Sequence, residues 1–251
     1  MKHLYSFGLA VVSALLLVTA INFALPYKLA NTLTGYDGNP ANFVNWINIH
    51  VWIWIAFFMG MVSVWQVAQG LRAQKLWASE DILDRDPLAI YDRNDRIAIY
   101  SKVGELPPEA IVRQMIQRPL AQYQGSKSWS QANEVLQSTT LEVQNRTELS
   151  YTLSRYLSWL IPTLGFIGTV LGISEALGQI GVLTPADFAE ATFLPAVISS
   201  LGIAFSTTLI ALVLSGILIL YISIIQAEEE AFITDIFGDC VENLLNKLHE
   251  D

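Results

Sequence analysis

The sequence predicts an all-α membrane protein with four transmembrane helices. Hydrophobic residues make up 53% of the 251 residues and charged residues only 15%, with a net charge of −9, which is more typical of a membrane protein than of a globular domain. The charges are also absent from long stretches, since residues 3–27, 40–71, 156–174 and 191–227 contain no Asp, Glu, Lys or Arg. A helix needs about 20 apolar residues to cross roughly 30 Å of hydrocarbon, and these stretches supply them.

The four predicted spans cover about residues 5–25, 44–69, 157–181 and 193–223. The first follows Lys2 and has an apolar run, so a cleaved secretory signal is the competing interpretation. No A-x-A cleavage motif follows it, only "INFALP". We therefore expect the first span to be retained as a helix.

Lys and Arg residues indicate the orientation, because they accumulate in cytoplasmic loops. Eleven of the 14 lie between residues 71 and 155, whereas the loop 26–43 contains Lys28 alone and the loop 182–192 contains none. The segment 71–155 is thus expected to be a cytoplasmic insert. With four spans, both termini are then cytoplasmic.

The chain divides into four predicted segments: the first two spans (1–70), the insert (71–155), a helical hairpin (156–225) and an acidic tail (226–251). In the insert, "LPPEAIVRQMIQ" predicts a helix with Pro108 at its first position. The polar segment 128–159 contains no Gly or Pro and is expected to continue unbroken into the third span. The fourth span is expected to run on into the tail, so that long helices extend into a cytoplasmic helical base.

Signatures of catalysis and cofactor binding are missing from the sequence. It has no phosphate-binding or dinucleotide-binding loop and no clustered His or Cys, so we expect a protein that is not an enzyme and has no cofactor, and nothing indicates nucleic-acid binding. Cys240 is the only cysteine and is interpreted as a small buried residue. For His50 we favour packing over a proton-relay role, because no second His or carboxylate is beside it.

The third and fourth spans each have one face of small residues, because positions i, i+3, i+4 and i+7 of a helix share a face. These faces comprise Gly165, Gly168, Thr169, Gly172 and Ala176 in the third span and Ser200, Ala204, Thr207, Thr208, Ala211 and Ser215 in the fourth. Small faces let membrane helices approach closely. Packing alone is therefore one explanation of these residues.

The hydroxyl groups suggest a second explanation. Thr169 and Thr208 are expected at similar depths on antiparallel neighbours, where they would line a narrow passage. The only acidic residue in the four spans is Glu175, toward the outer end of the third, where it would lie at the outer mouth or cap the helix. Ionisable groups mark ion routes in membranes, so a proton path lined only by hydroxyls needs a titratable group from a partner.

Two motifs resemble the MotA/TolQ/ExbB proton-channel family: "PTLGFIGTVLGI" at 162–173 and "GIAFSTTLIAL" at 202–212. The resemblance implies an inner-membrane homopentamer around a dimer of a single-span MotB/TolR/ExbD-like protein. That partner brings an intramembrane Asp, and proton flow drives rotation. Thr169 and Thr208 match the family's pore threonines, with Thr207 as a one-place alternative. Pro162 matches the proline at the cytoplasmic start of the pore helix.

The chain departs from the pattern of the TolQ and ExbB branch at two places. Ile203 stands where that branch has a glutamate, and Gly216 and Ile217 stand where a proline is expected. The first departure leaves the carboxylate to the partner alone. A sodium-driven version of the motor and a structural scaffold without ion conduction remain alternatives, and the sequence does not identify the process that such a motor drives.

Overall fold

The chain folds into α-helices. The computed structural model describes residues 8, 11–13, 15–20, 24, 30, 33–34, 49–79, 82–84, 86, 90–181 and 193–248. The helices are α1 (Ile49–Ala78), α2 (Arg93–Gly104), α3 (Ile111–Ser126), α4 (Trp129–Ser150), α5 (Thr152–Gly181) and α6 (Leu194–Asn243), followed by a 3₁₀ turn at Leu245–Lys247. Over these described ranges, extended pairing is limited to an isolated bridge between Tyr91 and Leu248.

Three of the helical runs are long and apolar enough to cross a membrane: α1, the run from α4 into α5, and α6. They correspond to the second, third and fourth predicted spans, although α1 begins at Ile49 and α6 at Leu194. The described residues of the first predicted span are helical. The other residues of that span, the whole loop 182–192 and most of the loop 26–43 lie outside the described residues. The all-helical membrane class is confirmed, and the first of the four predicted spans stays a prediction.

The spans continue into long polar helices. Helix α6 is 50 residues long and runs from the fourth span into the acidic tail, as the sequence predicts. The expected continuation into the third span is found as one helical run from Trp129 to Gly178, in which α4 and α5 adjoin at a single turn residue, Tyr151, where φ is −89° and ψ is −4°. There the Tyr151 N–H bonds the Glu148 carbonyl three residues back, which tightens one turn.

The start of α3 differs from the sequence prediction. The helix begins at Ile111 instead of Pro108, because a turn forms first, in which the Ala110 N–H donates to the Pro107 carbonyl at 2.9 Å. The Ile111 N–H then donates to Gln74 Oε1 at 2.9 Å. A side chain from α1 therefore accepts from the first helical N–H. A proline at that position would have had no N–H to satisfy.

The chain forms two compact units. We call residues 1–64 with 152–222 the apolar unit and residues 65–151 with 223–251 the insert unit. In the apolar unit, α1 lies so close to α6 that a Cβ atom on Gly60 would stand 2.6 Å from Leu218 Cδ2. The absence of a side chain at Gly60 thus permits the close contact between α1 and α6.

The insert unit has an apolar core made by α3, α4 and the end of α6. Its fully buried members include Met115, Leu120, Tyr123, Leu136, Ile233 and Leu244. Cys240 lies in the same core, 1% exposed, and burial raises the pKa of its thiol to about 12. The cysteine is a buried packing residue, as the sequence interpretation has it.

Glu229 is the one buried carboxylate among the described residues, with 9% of its surface exposed. It lies in the insert unit, where Tyr151 Oη donates to its Oε2 at 2.8 Å and Thr147 Oγ1 donates to its Oε1 at 3.4 Å. Burial raises the pKa of the Glu229 carboxyl above its ordinary value, although the two hydroxyl donors oppose that shift. The folded protein therefore binds this proton more tightly than the unfolded chain does.

A pH dependence of stability follows from this raised pKa. The stability that the Glu229 proton contributes is fully present below the unfolded pKa of about 4.5 and is lost as pH rises through the higher folded pKa. Replacing Glu229 by Gln should raise the unfolding temperature at pH 8 and reduce its decline between pH 5 and pH 8, measured by thermal unfolding in detergent. Glu230→Gln is the matched control, since Glu230 is the exposed neighbour. An equal effect of both variants would contradict the interpretation.

Candidate ion-pathway site

The candidate site lies within the apolar unit, where α5 and α6 pack against each other. Gly165 faces Ala211 and Gly172 faces Ala204. The residue numbers therefore increase along α5 in the direction in which those of the facing residues in α6 decrease. The helices are therefore antiparallel. The larger side chains of α5 and α6 point elsewhere, with Phe166, Phe205, Leu209 and Leu212 each more than half exposed.

Glycine residues set how closely the two helices approach. A Cβ atom on Gly165 would lie 2.5 Å from Ala211 Cβ, and one on Gly172 would lie 2.6 Å from Ala204 Cβ and 3.2 Å from the Ser200 carbonyl. Carbon atoms pack at about 3.5–4.0 Å, so neither position has room for a side chain. Backbone carbonyls of one helix consequently come within reach of side chains on the other.

Thr169 and Thr208 meet at this interface and share a hydrogen bond between their hydroxyl groups. Thr208 Oγ1 also lies 2.9 Å from the Gly165 carbonyl of α5, and Thr169 Oγ1 lies 3.0 Å from the Ala204 carbonyl of α6. Each threonine therefore reaches across to the opposite backbone. The structure brings together the two residues that the sequence motifs single out.

The threonine pair has two possible proton arrangements, because each hydroxyl carries one proton and can donate only once. In the first, Thr208 donates to the Gly165 carbonyl and Thr169 donates to Thr208. In the second, Thr169 donates to the Ala204 carbonyl and Thr208 donates to Thr169. The acceptor distances of 2.9 Å and 3.0 Å are nearly equal, so the same helix positions accommodate both arrangements.

Thr207 occupies a different place from Thr208. It is 2% exposed, its hydroxyl donates to the Ala204 carbonyl at 2.6 Å, and a Cβ atom on Gly168 would stand 2.6 Å from its Oγ1. Thr208 is partly exposed. Thr207 therefore fills the helix contact, and Thr208 is the one of the two that is paired with Thr169.

Pro162 lies inside α5, not at its first turn, because the helix already begins at Thr152. The match of Pro162 to the proline of the family's pore helix stays a prediction. Proline has no N–H and leaves the carbonyl four residues back, that of Ser158, without its helical donor. Ser215 of α6 fills the gap, since its hydroxyl donates to the Ser158 carbonyl at 2.9 Å.

The other candidate residues differ in exposure. Ser200, Ala204, Ala211 and Ser215 are buried, at 8%, 0%, 0% and 4% exposure. Glu175 is exposed and takes no part in the hydroxyl network. Across the described part of the chain, no group of three His, Cys, Asp or Glu residues is arranged to hold a metal ion.

Sequence reasoning undervalued one residue of the apolar unit and missed one of the insert unit. His50 is 1% exposed, and its Nε2 lies 3.3 Å from Ser206 Oγ on α6. Its partner is a serine 156 positions away, which no local pattern reveals. Glu229 is the middle one of three successive glutamates, so the sequence offers no sign that it alone is buried.

The fold and the site define an all-helical membrane protein with a hydroxyl pair between two tightly packed spanning helices. Residues 106–236 match the model of the MotA/TolQ/ExbB proton channel family, which is more than half of the 251 residues. The chain belongs to that family, whose members are channel subunits and not enzymes. No curated protein and no solved structure matches the chain.

The family match covers more of the chain than the two sequence motifs do. The resemblance in the motifs is specific over roughly residues 155–225, whereas the matched region begins at residue 106 and ends at 236. It therefore includes α3, α4 and the part of α6 that carries Glu229. The part of the insert from residue 106 onward therefore belongs to the family match.

Substitutions of glycine test the close approach of α5 and α6. Gly165→Ala should lower the free energy of unfolding by about 1–3 kcal/mol, because overpacking forces the helices apart. Gly178→Ala is the matched control on the same helix, since nothing lies within 4 Å of a Cβ atom there. Denaturant unfolding in mixed micelles measures both, and Gly165→Ala combined with Ala211→Gly should restore most of the loss. Equal stability of the two single variants would refute the packing geometry.

A double-mutant cycle tests the hydrogen bond from Ser215 to the carbonyl freed by Pro162. Ser215→Ala should cost about 0.5–1.5 kcal/mol, because the Ser158 carbonyl then has no donor. In a Pro162→Ala background the same change should cost much less, since an alanine at that position supplies the helical N–H. Unfolding free energies of the four proteins give the coupling, and a coupling of zero would mean that the two residues act independently.

Proposed function

We propose that this protein is the proton-conducting subunit of an ion-driven rotary motor of the bacterial inner membrane. Five copies surround a dimer of a single-span partner, and proton flow along the α5–α6 surface turns the pentamer around that dimer. The observation that carries the proposal is the hydrogen-bonded pair of Thr169 and Thr208 between two spanning helices of a proton channel family member.

The chemistry of the site supports the need for a partner. Hydroxyl groups and backbone carbonyls can pass a proton along hydrogen bonds, but they do not hold one at neutral pH, since hydroxyl side chains are not titratable there. Across α5 and the part of α6 in the apolar unit, the only carboxylate is that of Glu175, which stands apart from the hydroxyl network. A carboxylate that delivers protons to Thr208 must then come from another chain, and an intramembrane Asp of the single-span partner fills that role.

The exposed surface of the pair suits an assembly. Thr169 and Thr208 are both partly exposed, and apolar side chains such as Phe205 and Leu209 are exposed nearby on α6, at 62% and 61%. A span in lipid can leave such side chains facing acyl chains or other helices. The excess of Lys and Arg in the insert supports a cytoplasmic location for it and for both termini.

Removal of one hydroxyl tests the proton path. With the single-span partner co-expressed and reconstituted in vesicles, Thr208→Ala should lower proton flux by about tenfold, the effect of losing roughly 1.4 kcal/mol of stabilisation, whereas Thr208→Ser should retain the flux. Thr163→Ala is the matched control, because its exposed hydroxyl bonds only the Trp159 carbonyl of its own helix.

The possible outcomes separate the alternatives. Unchanged flux in Thr208→Ala would refute the pathway through this residue, and no flux in the wild type would favour a structural scaffold. Flux that depends on sodium instead of pH would favour the sodium-driven version. Native mass spectrometry adds an independent measurement, since a 5:2 assembly supports the motor and a monomer or homodimer supports the scaffold.

A further inference from the structure

The insert unit contains a pocket that has no role in the proposed ion pathway. It has a volume of about 490 Å³ and is open to solvent, between the turn that precedes α3, α3 itself and α4. Three of its seven lining residues are arginines: Arg113 and Arg118 of α3 and Arg146 of α4. Small-molecule sites have volumes of about 300–1,000 Å³, so this pocket is large enough for an organic molecule.

Arg113 has a positive charge that no described residue neutralises. Its side chain is partly buried, with Nε donating to Gln117 Oε1 at 3.0 Å and Nη1 donating to the Leu106 carbonyl. Both acceptors are neutral, and none of the described carboxylates forms an ion pair with Arg113. The two hydrogen bonds therefore fix the orientation of the guanidinium group and leave its charge available to a ligand.

Arg118 and Arg146 are held next to each other by a single carboxylate. Glu142 lies between them, with its Oε2 2.5 Å from Arg118 Nη1 and its Oε1 2.7 Å from Arg146 Nη2. The three side chains are 44–57% exposed, and ion pairs in contact with water contribute little to stability. The effect of the shared carboxylate is thus to place two guanidinium groups together at the wall of the pocket.

The three guanidinium groups keep most of their hydrogen-bonding capacity. Each has five N–H donors, of which Arg113 uses two and Arg118 and Arg146 use one each. Against their three positive charges stand the carboxylate of Glu142 and, at the pocket itself, the exposed carboxylate of Glu109. The pocket therefore has an excess of positive charge and of free donors.

We propose that this pocket binds the phosphate group of a phosphate monoester, with Arg113, Arg118 and Arg146 as its ligands. A phosphate monoester has three terminal oxygens and a charge of about −1.5 to −2 at pH 7, which matches several arginines. The planar fork of one arginine fits two phosphate oxygens at once, and the rest of the pocket accommodates the organic group. Soluble phosphate esters and phosphatidic acid in the bilayer share this chemistry. The inference does not depend on ion conduction.

Calorimetric titration of the full chain in phosphatidylcholine bicelles tests the binding. The soluble probe is adenosine 5′-monophosphate, with adenosine as its control without a phosphate, and the lipid probe is a short-chain phosphatidic acid. Saturable binding of either phosphate probe supports the proposal, and the probe that binds identifies the source. No saturable binding of either probe, equal binding of adenosine, or full displacement by an equal concentration of sulfate would overturn it.

Substitutions at the pocket separate binding from folding. Arg113→Gln should weaken binding of the phosphate probe by about tenfold or more, because it removes a charged donor. The matched control is Arg93→Gln, since Arg93 is exposed and outside the pocket. Glu109→Gln should strengthen binding several-fold, because it removes the opposing charge, and a misfolded chain would not gain affinity. Its control is Glu134→Gln, at an exposed position of α4 outside the pocket.

The variants also define the results that refute the site. Equal affinities of Arg113→Gln and Arg93→Gln would overturn the proposal, as would a Glu109→Gln protein that binds no more tightly than Glu134→Gln. A failure of proton flux would refute the proposed function and leave these affinities unchanged, so the two conclusions are tested separately.

Discussion

The close approach of α5 and α6 is the constraint on which the rest of the apolar unit depends. It exists because Gly165 and Gly172 present no side chain where Ala211 and Ala204 project from the other helix. In lipid, helices associate through such packing and through hydrogen bonds, because the hydrophobic effect does not drive them together. A wider separation would place the threonine hydroxyls beyond reach of the opposite backbone.

That approach also accounts for the polar chemistry inside an apolar protein. The Gly165 carbonyl lies within hydrogen-bond distance of the Thr208 hydroxyl, and the Ala204 carbonyl within that of the Thr169 hydroxyl. The Ser158 carbonyl, which has no helical donor because of Pro162, accepts from the Ser215 hydroxyl. Each of these polar groups is thus satisfied within the protein, as a low-dielectric surrounding demands. The threonine pair and the carbonyls beside it thus form a polar site without a charged side chain.

His50 in the apolar unit and Glu229 in the insert unit are both buried ionisable residues. His50 is bonded to a serine on α6 in the apolar unit, and Glu229 accepts from Tyr151 and Thr147 in the insert unit. Both are bonded to hydroxyl groups of residues distant in sequence, and burial raises the pKa of the Glu229 carboxyl.

The sequence by itself determined the helical membrane class, the positions of three spans, the small faces of α5 and α6, and the family motifs, because composition and a 3.6-residue period are local properties. The tertiary structure decided which hydroxyls meet, since Thr207 and Thr208 are adjacent in sequence yet face different neighbours. It also decided the burial of His50 and of Glu229, which depends on side chains 156 and 78 positions away. Those contacts arise only when distant helices pack, and no local pattern encodes them.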